Sequence, residues 1–336
     1  MVHRKRSRIN RFIHILFVRL LKLVILTGVI LGMLYLRVVL TRKDRAATLG
    51  SPAEALSAPA TAPDTLRILT YNIAHGRGSA LGAENTEGGT EEERRERLIR
   101  IGNEIQALGV DFVFLQEVDF NTWWSHNVDQ AAVIAEAAGF DYVVRQRNFD
   151  TGLPGFRRYD FGNALLSRLP VSEVQRLRLP PYSELESLFA GNHDALLATL
   201  QLSGEEQVVV MGLHLEVRSE ETRVGAAEEV IRYQRQESRP MIVLGNLNST
   251  PPGMPDAETS VSGQNAVELL ESFGGFQRRP SRGQATHHDF TFPSVAPRRC
   301  IDWIMPDRNW RIQEYRVVHG MQESDHLPVL STLRRR

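Results

Sequence analysis

Apolar residues recur along the chain in short runs that predict strands more than long helices. The runs are rich in Val, Ile, Leu and Phe, and turn-forming residues separate them. They cover residues 66–71, 112–115, 142–144, 164–166, 195–202, 208–213, 241–244, 301–305, 317–318 and 326–333.

Helices are predicted between several of these strands. The clearest covers residues 91–108: Thr90 and Glu93 form a capping-box pattern at its start, and Gly109 supplies a stop. Its apolar positions fall at helical spacing: Leu98, Ile101, Ile105 and Leu108. Two further helices are predicted over residues 129–138 and 220–237. Strands with intervening helices predict a layered α/β protein in which polar residues at strand ends assemble a site.

One apolar stretch, residues 12–40, is much longer than the runs that predict strands. Arg19, Lys22 and Arg37 interrupt it and leave a charge-free core at residues 23–36. As a helix this core covers about 21 Å, against roughly 30 Å of hydrocarbon in a bilayer. Crossing a membrane therefore requires the flanking basic side chains to snorkel to the interfaces.

We predict that residues 12–40 form a single-pass transmembrane anchor. A cleavable signal peptide and a soluble amphipathic helix are the alternatives, and the charged stretch after the core argues against cleavage. Seven basic residues precede the core and four follow it. The positive-inside rule therefore predicts a cytoplasmic tail at residues 1–11 and an extracytoplasmic main domain.

The rest of the chain predicts one linker and one domain. Residues 41–64 are dominated by Ala, Pro and Ser, which is typical of a tether. Residues 65–336 contain no second linker and no internal repeat, so one large folded domain is expected.

Charge is divided unevenly along a chain whose formal net charge is zero. The first 46 residues hold 11 of the 40 Lys and Arg residues and one of the 40 acidic residues. The remainder is therefore acidic, which argues against gripping extended duplex nucleic acid through its phosphates. The single cysteine, Cys300, excludes an internal disulfide and a cysteine-based zinc cluster.

Six predicted strands carry polar residues at their ends that strand packing does not require. The segments are TYNI, LQEVD, GLHLE, LGNLN, CIDWI and ESDHLP. Together they supply amides, carboxylates and two histidines. Metal-assisted phosphoester hydrolysis needs these groups: oxygen ligands for a hard cation, an oriented water and donors to the phosphoryl oxygens.

In order along residues 66–333, the chain resembles the endonuclease/exonuclease/phosphatase superfamily with its DNase-I-like fold. The matching segments are TYNIAHG, DFVFLQEVD, GNALLSRLPV, GLHLE, GNLNSTP, TFPS, IDWIM and SDHLPV. The resemblance implies a four-layer α/β sandwich of two packed β-sheets flanked by helices, here preceded by one transmembrane helix. It also implies hydrolysis of a phosphoester with Mg²⁺ or Mn²⁺ as cofactor.

Roles carry over from this resemblance position by position. Glu117 is expected to be the principal metal ligand, with Asn72 and Asp325 completing or supporting the metal site. His326 is expected to be oriented by Asp302, whose carboxylate fixes the imidazole tautomer and stabilises its charged form.

Three further positions are expected to face the substrate. His214 and Asn248 look like contacts to phosphoryl oxygen, and Asn163 either contacts substrate or orders its loop.

The chain departs from the family pattern Gly-Asp-x-Asn, because Asn246 stands where the family has an aspartate that activates the attacking water. An amide keeps the shape but cannot accept a proton at neutral pH. Three interpretations stay open. The enzyme works slowly or relies on metal-bound hydroxide; Glu216, two residues after His214, substitutes as base; or the protein is a pseudo-enzyme that binds a phosphorylated ligand.

We therefore predict a membrane-anchored, metal-dependent phosphodiesterase or phosphatase with a small or lipid-linked phosphoester substrate. A catalytically impaired phosphate-binding protein and an extracytoplasmic nuclease are the alternatives, and no obligate protein partner is inferred. Trp123 and Trp124 are expected in the core or on an apolar rim at the substrate. Residues 287–289, His-His-Asp, are expected in a surface loop and not at a second metal.

Overall fold

The computed structural model describes the backbone of residues 2–41, 48–50, 60–152, 157–183, 187, 191 and 193–336. The chain divides into two units, the N-terminal helix and the domain that follows it. Much of the predicted linker, residues 42–47 and 51–59, lies outside the described residues.

Helix α1, Val2–Thr41, makes up the first unit. Its segment His14–Leu36 is 23 residues long, is apolar enough to cross a membrane and is not buried against other residues. A signal sequence near an N-terminus would meet the same criteria of length and composition.

The second unit contains a seven-stranded mixed sheet. Its strand order is β1-β4-β5-β3-β2-β12-β11, with β2 and β3 parallel and every other neighbouring pair antiparallel. The strands are β1 (Thr48–Gly50), β2 (Thr65–Asn72), β3 (Phe112–Asp119), β4 (Tyr142–Gly152), β5 (Arg158–Ser167), β11 (Trp310–Val317) and β12 (Val329–Arg335).

A five-stranded mixed sheet packs against the first. Its order is β10-β9-β8-β7-β6, and β8 and β9 are its parallel pair. The strands are β6 (Val171–Leu177), β7 (Ala195–Gln201), β8 (Gln207–His214), β9 (Met241–Asn246) and β10 (Asp302–Pro306). Alternate side chains of both sheets meet in one apolar layer, for example Phe114 and Leu165 with Val210 and Leu244.

Helices cover the outer faces of the two sheets. Within the described residues, α2 (Glu91–Leu108) and α3 (Gln130–Ala138) pack on the seven-stranded sheet, and α4 (Glu220–Gln234) and α5 (Ala266–Phe273) pack on the five-stranded sheet. The four layers are therefore helix, sheet, sheet and helix, which confirms the predicted sandwich.

The local signals at α2 act as the sequence predicts. The hydroxyl of Thr90 accepts a hydrogen bond from the Glu93 amide, the Glu93 carboxylate accepts one from the Thr90 amide, and Gly109 ends the helix in a left-handed conformation. Among the described helices and strands, the sequence did not predict the edge strand β6 or the short helix α5. It also missed β1, which lies within the predicted linker, and most of β11, where only residues 317–318 were expected.

Candidate active site

The predicted site residues converge where the parallel pairs of both sheets end. Asn72 closes β2 beside β3, and His214 closes β8 directly opposite Asn246 at the end of β9. Asp302 begins β10 opposite Asn246. Carboxyl ends of parallel strands lie at one edge of a sheet, so this topology gathers residues that are more than 200 positions apart.

Glu117 lies in a break of the ladder between β3 and β5. Leu115 pairs with Ala164 and Val118 pairs with Gly162, which leaves one extra residue in β3 and places Glu117 at a positive φ of 53°. This bulge turns the carboxylate out of the sheet into the site.

The surroundings of Glu117 keep it ionised. Asn72 Nδ2 donates to Glu117 Oε1 at 2.9 Å, and His75 Nε2 lies 3.6 Å from Glu117 Oε2. Burial raises the pKa of Glu117. The imidazole of His75 and the amide of Asn72 lower it, and these opposing effects are larger, so the net pKa is about 2. The carboxylate is therefore charged at every physiological pH.

Arg77 joins Glu117 to Asp325. Its Nη2 donates to Asp325 Oδ2 at 2.6 Å, and its Nη1 lies 3.6 Å from Glu117 Oε2. Two carboxylates that arise 208 positions apart in the chain thus share one positive group. The sequence pattern predicts no role for Arg77.

The donor chemistry of this corner fits a hard divalent cation. Glu117 and Asp325 present carboxylate oxygens around a positive charge, and Asn72 adds an amide beside them, a set that suits Mg²⁺ or Mn²⁺. Among the residues that the structure describes, no three His, Cys, Asp or Glu side chains form a complete metal-binding cluster. A cation here would take the place of the Arg77 guanidinium between the two carboxylates.

His326 and Asp302 form the expected buried pair. His326 Nδ1 lies 2.9 Å from Asp302 Oδ2, and the ring packs on Phe292 with centroids 4.8 Å apart. Burial lowers the pKa of His326, but Asp302 raises it by charge and hydrogen bonding, and the net shift is upward. The pair therefore favours the imidazolium form of His326.

A second histidine–aspartate pair faces Glu117 from the other side, and sequence analysis missed it. His75 Nδ1 lies 2.7 Å from Asp119 Oδ1, and Trp124 Nε1 donates to the other oxygen of Asp119 at 2.8 Å. The parallel register of β2 and β3 brings these residues together. The only sequence signal was that Asp119 follows Glu117 by two positions, on the same side of a strand.

The backbone at His75 is held in an unusual conformation. Ala74 and His75 have φ values of 48° and 52°, and buried Arg94 and Gln130 donate to the carbonyl oxygen of His75 at 2.6 and 2.7 Å. Such strain persists only where surrounding contacts enforce it, and it concentrates at functional sites.

A cavity of about 260 Å³ opens beside these groups. Its lining residues are His75, Asn85, Glu117, Asn148, Phe161, Gly162, Gly191, His193 and His214. His214 Nε2 lies 3.8 Å from Glu117 Oε1. Burial and the nearby histidines lower the pKa of His214, whereas the Glu117 carboxylate raises it, and the net value is about 3. This imidazole is therefore neutral at pH 7.

The asparagines near the site make hydrogen bonds to the backbone or to neighbouring strands, although Asn163 Oδ1 is buried without a partner among the described residues. Asn246 Oδ1 accepts a hydrogen bond from the Asn248 amide at 2.9 Å, and Asn248 Nδ2 donates to the Leu215 carbonyl at 2.9 Å. Asn163 is buried within β5, where its Nδ2 lies 3.4 Å from Gln146 Oε1 on β4. The Nδ2 contact of Asn163 thus connects two strands of the sheet.

Glu216 is held by its neighbour Arg218. The guanidinium Nε donates to Glu216 Oε1 at 2.8 Å, and the Arg218 amide donates to the same oxygen at 3.0 Å. Burial raises the pKa of Glu216, but these bonds lower it below its ordinary value. A carboxylate so occupied is a poor proton acceptor.

The weaker sequence signals also have places in the fold. Trp123 and Trp124 are half-buried and line a second cavity, of about 440 Å³, which also contacts Arg77, Asn85 and Tyr159. They therefore form a rim next to the site instead of core. His287–Asp289 is an exposed turn, as expected for a surface loop.

Comparisons with known proteins agree with this architecture. The profile described as "Endonuclease/Exonuclease/phosphatase family" matches residues 69–326. No curated protein matches the chain.

Several solved structures share the fold at low sequence identity. An endonuclease/exonuclease/phosphatase from Beutenbergia cavernae is 22% identical, with 81% of this chain and 72% of that chain covered and a TM-score of 0.56. The human nocturnin catalytic domain, solved with a bound sulfate anion, is 18% identical, with 86% and 98% covered and a TM-score of 0.57. ANGEL2, a 2',3'-cyclic phosphatase in complex with adenosine-2',3'-vanadate, is 14% identical, with 80% and 97% covered and a TM-score of 0.53. These similarities confirm the DNase-I-like fold.

Proposed function

The chain belongs to the endonuclease/exonuclease/phosphatase family, whose members are generally hydrolases acting on phosphoesters, and from this we propose that it is a metal-dependent phosphodiesterase or phosphatase. One observation carries the proposal. Glu117, Asp325 and the His326–Asp302 pair, which the sequence scatters over 210 positions, lie around one corner of the sandwich.

Glu117, Asp325 and Asn72 would hold the cation in this proposal. A bound Mg²⁺ or Mn²⁺ would neutralise charge on the phosphoryl group and lower the pKa of a water molecule at the site. Asn72 orients Glu117 through its Nδ2, and its own Oδ1 is fixed by the Ala74 amide at 2.9 Å. The ligands are therefore positioned before any substrate arrives.

The histidines would bind the phosphoryl group. His326, whose protonated form is favoured by Asp302, would donate from Nε2 to a phosphoryl oxygen, and neutral His214 lines the cavity beside Glu117. Asn248 is fixed next to His214 through the Leu215 carbonyl. These residues stabilise the charge that develops on the phosphoryl oxygens as the ester bond breaks.

Asn246 favours a second candidate, a protein that binds a phosphorylated ligand without turning it over. Its Oδ1 supports the turn to Asn248, and it offers no carboxylate to the attacking water. Loss of a general base commonly costs roughly 10²- to 10⁴-fold in rate. Since the metal-binding and histidine positions are intact, we favour slow turnover over none.

The substrate we propose is small or lipid-linked. The acidic excess after residue 46 opposes long polyanions, and α1 would hold the enzyme at a membrane with its main domain on the extracytoplasmic side. A nuclease acting on exogenous nucleic acid is the competing outcome in a substrate screen.

Hydrolysis of bis(p-nitrophenyl) phosphate by the full chain in detergent tests the proposal. The native protein, Glu117→Ala and Asn246→Asp are compared with and without Mg²⁺ or Mn²⁺. Metal-dependent turnover that disappears in Glu117→Ala supports the hydrolase. Turnover seen only in Asn246→Asp identifies the binding protein, and no turnover in any of the three contradicts the proposed phosphodiesterase.

A further inference from the structure

A third histidine lies in the cavity and has no part in the mechanism described above. His193 precedes β7 and lines the same cavity as Glu117, His75 and His214. Its side chain is 41% exposed, whereas that of His214 is 12% exposed. One side of the His193 imidazole is therefore open to a bound molecule.

The contacts of His193 fix its tautomer. Its Nδ1 lies 2.9 Å from the carbonyl oxygen of His214, and its ring stands edge-on to that of His214 with centroids 5.3 Å apart. Because a carbonyl oxygen only accepts hydrogen bonds, Nδ1 carries the proton. The remaining nitrogen, Nε2, is a donor only when the ring is protonated.

Several charged groups lie close to His193. Glu216 Oε2 lies 3.9 Å from His193 Nε2, with Arg218 behind the carboxylate. The next residue, Asp194, pairs with Arg176. The other titratable groups lining the cavity are ionised Glu117, neutral His214 and the paired His75.

We propose that His193 binds the substrate, with Nε2 donating to an anionic oxygen of a phosphodiester in this cavity. The inference rests on the proposed function and adds a recognition contact to it. A hydrogen bond from an imidazolium to a charged oxygen is about twice as strong as a neutral one. Because Nδ1 donates to the His214 carbonyl, Nε2 makes this bond only from the imidazolium, so the contribution of His193 should be larger at the lower of two pH values.

Binding of diethyl phosphate tests this without requiring turnover. The probe stays a monoanion over the whole range, and its affinity for the full chain in detergent is measured by phosphorus NMR titration at about pH 6 and about pH 8. His193→Leu removes the donor, His193→Gln keeps a neutral donor, and His288→Gln is the control at an exposed histidine.

We expect His193→Leu to bind diethyl phosphate roughly fivefold more weakly than the native protein at the lower pH, and with less difference at the higher pH. His193→Gln should retain part of the affinity but show a smaller change with pH, whereas His288→Gln should behave as native. His75 and His326 are present in every variant and can contribute to the pH dependence of binding. The role of His193 is therefore measured by the difference in affinity between the native protein and each His193 variant.

Equal binding by His193→Leu and the native protein at both pH values overturns the role of His193 alone. The proposed hydrolase is then still tested independently by the metal-dependent hydrolysis assay. Failure of the native protein to bind the probe at either pH overturns this inference together with the phosphate site. Matching thermal unfolding curves establish that the variants are folded.

Discussion

Glu117 combines a functional side chain with a backbone conformation that its residue type disfavours. Its φ of 53° lies in the left-handed region, and the bulge between β3 and β5 imposes it. A residue with a Cβ atom pays a steric penalty there that glycine does not. Strain of this kind is concentrated at functional sites, which supports the proposed role of the Glu117 carboxylate.

Two substitutions separate strain from charge. Both Glu117→Gly and Glu117→Ala remove the carboxylate, but only glycine adopts a positive φ without steric strain. Glu117→Gly should therefore be more stable than Glu117→Ala by about 0.5–1 kcal/mol in the free energy of unfolding. Urea unfolding of both variants measures the difference. A stability equal to or below that of Glu117→Ala would show that position 117 carries no strain.

The contact between His326 and Asp302 leads us to expect a change in the rate of hydrolysis when Asp302 is substituted. Asp302→Asn removes the charge that favours the imidazolium while leaving its shape, and we expect hydrolysis to fall by roughly 10²-fold or more. Initial rates on bis(p-nitrophenyl) phosphate measure this, and the melting temperature checks the fold. A rate within twofold of native would exclude a catalytic role for the pair.

At the scale of elements, a glycine on β8 lies directly against an aromatic ring of the other sheet. A Cβ atom on Gly212 would lie 2.2 Å from the ring of Phe114 on β3. Phe114 is buried between the sheets, so its ring has no free space into which to move. The missing side chain at Gly212 allows the parallel pairs to come together at the site edge.

Gly212→Ala should therefore destabilise the domain by about 1–3 kcal/mol through overpacking. Adding Phe114→Leu should recover part of that loss, so the double variant is less destabilised than the two single effects combined. Denaturant unfolding of the four proteins gives the coupling. If the two single effects on the free energy of unfolding simply add in the double variant, Gly212→Ala does not act through the Phe114 ring.

Elements with local signals were predictable from the sequence, and contacts between distant residues were not. The caps of α2 lie within four residues of the helix ends, so Thr90, Glu93 and Gly109 predicted its bounds. The His75–Asp119 contact depends on the register of β2 against β3, which no local pattern contains. His193 was missed because it stands alone in a loop and contacts the site only through the fold.

The predicted roles of Glu117, Asp325 and His326 came from a family resemblance and not from composition or periodicity. The structure adds what the resemblance did not contain. Arg77 joins the two carboxylates, and Arg218 occupies the carboxylate of Glu216, the residue considered as a substitute base. Both contacts pair oppositely charged side chains, and loop geometry decides which partners meet.

At the scale of the whole molecule, the chain joins an apolar helix to an acidic domain. If α1 is an uncleaved anchor, the protein should remain with membranes after an alkaline carbonate wash, and deletion of residues 1–40 should release it. Fractionation with an antibody against the domain measures this. A soluble native protein that begins after residue 41 would show instead that the helix is a cleaved signal.

The proposed hydrolysis depends on the binding of one divalent cation by Glu117 and Asp325. An electron paramagnetic resonance titration of the full chain with Mn²⁺ tests it most directly, with Glu92→Ala as a control at an exposed acid. We predict one bound Mn²⁺ in the native protein and the control, and its loss in both Glu117→Ala and Asp325→Ala. Mn²⁺ binding that survives both substitutions would contradict the account.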